Sequence, residues 1–146
     1  MPSVRPRIMI QKQIEAILAW QDVGDDGDID VDGVLKAFER LNSIATEADL
    51  PALVAAIQSP KNNFWTRELF AEPICRLGGA DYLERLLEAA QLGLDEGHGN
   101  DRFDALLRDL AYMDPEKCRA KLEELLARDG FKHHEIARWL LEYCET

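Results

Sequence analysis

The residues best placed to do chemistry lie in Asp28-Ile29-Asp30-Val31-Asp32-Gly33-Val34-Leu35-Lys36-Ala37-Phe38-Glu39. This segment fits the twelve-residue calcium-loop pattern: Asp at positions one, three and five, Gly at six, an apolar residue at eight and Glu at twelve. Three carboxylates and a bidentate Glu would give Ca²⁺ hard oxygen ligands. The surrounding residues point the other way. Ile29 and Val31 stand where polar residues or Gly are usual, and Lys36 brings a positive charge beside the ion. Val34, Leu35, Phe38 and Leu41 form a helical stripe that begins directly after Gly33. A helix starting there carries Glu39 about 9 Å beyond Gly33, too far to fold back as the last ligand. The acids then serve as helix-start residues, with Asp30 or Asp32 as the cap.

A second group of polar side chains sits at 95–104: Asp95, Glu96, His98, Asp101 and Asp104. One His among acids in a Gly-containing stretch could serve a metal or acid–base chemistry. An exposed acidic loop that contacts a partner fits the composition better. Asp81, Glu84 and Glu88 recur at spacings of three and four, which places them on one helix face, opposite Leu83, Leu87 and Ala90. His133 and His134 are adjacent and so diverge on a helix. The expected partner-binding residues are therefore Asp81, Glu84, Glu88, Asp95, Glu96, Asp101 and Asp104. No nucleophile elbow, phosphate loop, dinucleotide fingerprint or zinc-protease pattern occurs. We expect no catalytic residues, no metal site and no cofactor.

These residues must be held by helices. Strand-type alternation is nearly missing, while apolar residues recur at helical spacing along the whole chain. The spacing predicts helices from about 8 to 20, 33 to 45, 50 to 58, 64 to 77 and 81 to 92, a sixth after the 95–101 loop carrying Phe103, Leu106, Leu107 and Leu110, a seventh from 114 to the Asp129-Gly130 break, and a last from 133 to 144. Breaks at Gly24-Asp25-Asp26-Gly27, Ser59-Pro60, Gly78-Gly79 and Asp129-Gly130 separate some of them. Asp49-Leu50-Pro51 and Asp114-Pro115-Glu116 are starts, with a capping acid and an early proline. Pro73 falls inside the fourth helix and is expected to bend it. Trp65 is expected in the core, with an exposed anchor as the other possibility. Cys75, Cys118 and Cys144 are widely spaced without a CxxC pair and fall on apolar stripes, so they read as small hydrophobic filler.

The 146 residues suit one domain, and 47% hydrophobic against 31% charged residues is the balance of a globular chain. A formal charge of −11 disfavours nucleic acid and anionic lipid and favours a basic protein partner. No apolar run reaches the length of a membrane span, and Gln11, Lys12 and Glu15 interrupt any signal-peptide core, so a cytoplasmic location is expected.

Phe64-Trp65-Thr66-Arg67-Glu68-Leu69-Phe70-Ala71 aligns with Phe131-Lys132-His133-His134-Glu135-Ile136-Ala137-Arg138 at an offset of 67 residues, about two repeats of 33 to 34. Ala52-Leu53 and Tyr82-Leu83 occupy matched points 30 apart. Arg67 through Gly79, with an early Arg, small or apolar residues and a closing Leu-Gly, resembles the HEAT-repeat signature. Ala80 through Ala89 resembles the second helix of the same unit. The resemblance runs over about three-quarters of the chain, roughly 33–144. It is clearest at 63–93, with His134 in place of the early Arg and 95–101 as an insertion. It implies an all-α fold, a right-handed α-α superhelix (a solenoid) of about eight helices in one domain, 1–146. A capping helix would occupy 1–22 and three to four helical hairpins 33–144. It further implies a concave face that grips a protein. Similar repeats occur in bilin lyases and in small immunity proteins that neutralise a bacterial toxin. The expected function is a non-catalytic protein-binding module, most specifically such an immunity protein. The alternatives are a calcium-responsive module using the EF-hand-like segment 28–39 and an accessory protein of bilin-lyase type.

Overall fold

A computed structural model describes residues 4–19, 31–62, 64–97 and 101–144. They are helical, with no strand among them: α1 (Val4–Leu18), α2 (Val31–Ile44), α3 (Leu50–Ile57), α4 (Phe64–Gly78), α5 (Leu83–Asp95), α6 (Asp101–Met113), α7 (Pro115–Ala127) and α8 (His134–Leu141). None of these helices is long and apolar enough to cross a membrane. The chain divides into two compact units, Met1–Pro73 and Ile74–Thr146. The division falls inside α4 at Pro73, whose ring removes one helical donor.

In the first unit α1 packs on α2 and α3. Ile10, Ile14 and Ile17 of α1 are buried, as are Val34, Ala37, Phe38 and Leu41 of α2. Leu35, expected on the buried stripe, is 37% exposed instead, and Ala37 takes its share of the inward face. A 3₁₀ turn, Glu47–Asp49, leads into α3: the Thr46 backbone N–H donates to Asp49 Oδ2 at 2.8 Å, so the carboxylate closes this turn and, against expectation, makes no cap bond to α3, where Pro51 sits in the first turn and needs no donor. Its end is closed by Asn62, whose Nδ2 donates to the carbonyls of Ala56 (2.6 Å), Ile57 (3.1 Å) and Ser59 (3.1 Å). Trp65 is half-buried.

The start of α2 corrects one expectation. The helix begins at Val31, so Asp32 and Gly33 belong to its first turn and Asp32 is not its cap. Asp32 and Glu39 are then separated by seven residues along one axis, about 10 Å. Asp28 and Asp30, the first two positions of the calcium-loop pattern, lie outside the described residues.

The second unit is built from α5 to α8. Both α7 and α8 pack against α5 and α6, and against each other. Leu83, Leu86, Leu87 and Ala90 of α5 supply its core, with Phe103 and Leu107 of α6, Cys118, Leu122 and Leu125 of α7, and Ala137 and Leu140 of α8. The sharp exit from α4 rests on two glycines. Gly79 has φ +64, a conformation costly for other residues, and a Cβ on Gly78 would lie 2.3 Å from Tyr82 Cδ2. Asp114 caps α7, accepting from the Lys117 backbone N–H at 3.4 Å, with Pro115 in the first turn.

Two cysteines are core residues of this unit. Burial pushes the Cys118 thiol up to about 12, with smaller upward contributions from nearby Cys144 and Asp114, and burial likewise raises Cys144. Their Sγ atoms donate to the carbonyls of Leu110 (3.4 Å) and Leu140 (3.7 Å). A thiol reagent at pH 8 is expected to modify half-buried Cys75 first and to reach Cys118 and Cys144 only on unfolding. Rapid labelling of Cys118 in the native protein would contradict this placement.

Candidate functional site

Asp81, Glu84 and Glu88 do not form a free negative strip. Asp81, in a short 3₁₀ turn ahead of α5, accepts from Lys117 Nζ at 3.2 Å. Glu84 accepts from Arg128 Nη1 at 2.7 Å, and Arg128 Nη2 also reaches Glu124 at 3.2 Å. Glu88 pairs with Arg85 at 3.3 Å on its own helix. The hydrogen bond from Arg128 holds the Glu84 carboxyl below its ordinary value. These acids are therefore matched by bases of the same unit, largely from α7 and the turn after it.

The remaining expected acids separate into two environments. Asp95 is exposed at the end of α5 and accepts from Gln91 Nε2 at 2.9 Å; Glu96 is exposed just beyond it. Asp101 is exposed in the first turn of α6, where a negative charge favours the helix dipole. His98 lies outside the described residues. Asp104, one turn further along α6, is half-buried. It forms one wall of a cleft of about 400 Å³ lined by Gln91 and Leu94 of α5, Asp104 of α6, and Glu135, Ile136 and Trp139 of α8. No group of three or more His, Cys, Asp or Glu side chains among the described residues is placed to hold a metal ion.

Comparison with protein-family models, curated proteins and solved structures finds no match to this chain.

Desolvation is the largest influence on Asp104. It raises the carboxyl above its ordinary value of 3.8, Arg108 one turn on opposes this, and Asp101 adds to it. Because the folded value lies above the unfolded one, ionisation is easier in the unfolded chain. Asp104 thus contributes stability below pH 3.8 that is lost as pH rises through its folded value. Its carboxylate is incompletely solvated. Neither Asp104 nor Glu135 accepts a hydrogen bond or closes an ion pair among the described residues.

An aromatic cluster continues from the cleft. Trp139 meets Tyr143 edge-on with centroids 5.3 Å apart, Tyr143 meets Tyr112 at 6.1 Å, and the Arg108 guanidinium carbon lies 5.9 Å from the Tyr143 centroid. Tyr112 and Met113, at the end of α6, are 63% and 84% exposed. The expected site omitted Trp139, Tyr112 and Glu135. The available signal was that Trp139 stands off the Ile136-Ala137-Leu140 stripe, so its indole had to find surface elsewhere than in the helix's buried face.

A second concavity, of about 460 Å³, is lined by Glu84, Glu88, Leu92, Gly130, Phe131, Lys132 and His133. Phe131 packs edge-on against both His133 (5.7 Å) and His134 (5.5 Å). With Lys132 inside it and Glu84 and Glu88 already paired, this concavity is closer to neutral than the Trp139 cleft.

Proposed function

We propose that this chain is a non-catalytic protein-binding helical module that uses the surface of its second unit to hold a basic partner. The observation that carries this reading is the set of large apolar side chains left in water on α5 and α6. Leu92 (47%), Leu94 (45%), Tyr112 (63%) and Met113 (84%) are exposed. Aromatic and Met side chains are enriched in protein interfaces, and large apolar side chains are costly to leave in water. The formal charge of −11 selects the sign of the partner.

The most specific form of the proposal is an immunity protein that covers the basic cleft of a bacterial toxin, built on HEAT-like stacking of helical hairpins. A calcium-responsive role for 28–39 fits less well, because a helix already runs from Val31. An accessory role of bilin-lyase type would need a pocket with His98 or an exposed Cys: Cys118 and Cys144 are buried, half-buried Cys75 lines neither concavity described above, and His98 lies outside the described residues.

The reading predicts an adjacent gene for a basic toxin, and the test is titration of the purified chain with that gene's product. The expected result is nanomolar affinity that weakens at least about tenfold between about 50 and 500 mM salt. Absence of binding at low ionic strength would sink the proposal.

A further inference from the structure

We infer that the cleft walled by Leu94, Asp104, Glu135, Ile136 and Trp139 is a socket for one basic side chain of the protein partner, arginine in the first instance. This inference rests on the protein-binding reading and assigns the residues that would read the partner.

Three features of the cleft converge on a guanidinium. Its apolar wall, Leu94, Ile136 and Trp139, matches the aliphatic stem of a long side chain. Trp is the most effective aromatic partner for a cation, and a planar guanidinium can stack on it. Asp104 and Glu135, from two different helices, supply carboxylates with which no described residue closes an ion pair or hydrogen bond. This contrast separates the cleft from the neighbouring acids. Glu84, Glu88 and Asp81 have already found Arg or Lys within the unit, so a partner's cation would have to displace an existing ion pair there. At the Trp139 cleft it displaces only water. The partial desolvation of Asp104 acts in the same direction, because a charge that is poorly hydrated gains more from an incoming counter-ion. Arg108 acts on Asp104 only at longer range and is drawn towards the Tyr143 ring.

The experiment titrates the full chain with the peptide acetyl-Gly-Arg-Leu-Gly-amide and with its citrulline counterpart, which has the same shape and no charge. Binding is followed by the indole N–H resonance of Trp139, assigned with W139F, and by the side-chain amide of Gln91. The expected result is saturable shifts at those two groups with the arginine peptide, absent with citrulline. D104N/E135Q is expected to lower the affinity at least about tenfold. E135K provides the same test should the double variant fold poorly, since Glu135 is exposed and Asp104 stays in place. Equal binding of the citrulline peptide, shifts centred on Glu84 and Glu88, or unchanged affinity in the variants would overturn the socket. The two proposals fail separately. Unaltered partner binding by D104N/E135Q removes the socket and leaves the module. A wild-type chain that takes the peptide in the cleft but binds no basic partner removes the module.

Discussion

Replacing Phe103 by alanine is expected to destabilise the second unit by about 3–5 kcal/mol. The ring is 1% exposed on α6, in a core shared with Leu87 of α5, Leu122 of α7 and Leu140 of α8, each fully buried. Truncation removes the transfer free energy of the ring and leaves a void that four helices cannot close without moving together. Urea unfolding, with amide exchange of α5 to α8 as the local readout, checks the figure. Tyr112→Ala, on the same helix but 63% exposed, is expected to change stability by less than about 1 kcal/mol. A loss below about 1 kcal/mol for Phe103→Ala would mean that α6 does not pack as described. The pair of variants also separates roles: Tyr112 is expected to matter for the partner and Phe103 for the fold.

For the first unit the largest effect is expected from Leu41→Ala, about 2–5 kcal/mol. Leu41 is 0% exposed in α2, on the same helix as buried Val34, Ala37 and Phe38, and α2 packs on α1 with its buried Ile10, Ile14 and Ile17. The control is Leu35, which belongs to the same sequence stripe by spacing yet is 37% exposed. Leu35→Ala is expected to cost less than about 1 kcal/mol. Amide exchange in α1 and α2 gives the measurement, and equal losses for the two leucines would show that the inward face of α2 is misassigned. The difference between them is geometric. A stripe of 3.6-residue period is about 100° wide, and which edge of it faces the core is set by the neighbouring helix rather than by the stripe.

The helices themselves were legible because their signals are local. Apolar spacing marks each buried face, and three ends are fixed locally: Pro51 needs no donor at the start of α3, Asp114 caps α7, and Gly79 takes a positive φ after α4. Most stated helix ends fall within two residues of the expectation; α1 starts four residues earlier, α8 ends three earlier, and α5 starts two later and ends three later, because a 3₁₀ turn at 79–82 precedes it and its C-terminus runs on through Asp95. The early start of α2 at Val31 escaped because Gly33 reads as a breaker, and a glycine in the first helical turn costs little there.

What the sequence determined by itself is therefore the all-helical class, the helix ends and the identity of most core residues, since each depends on interactions within a few residues. The fate of the acidic side chains was a tertiary matter. Lys117 and Arg128 reach Asp81 and Glu84 across 36 and 44 positions, and no periodicity within α5 could show that its carboxylates were already paired. The Trp139 cleft has the same origin. It exists because α5, α6 and α8 converge, bringing Leu94, Asp104 and Trp139 to one place, and convergence of distant helices is decided by how their buried faces pack together.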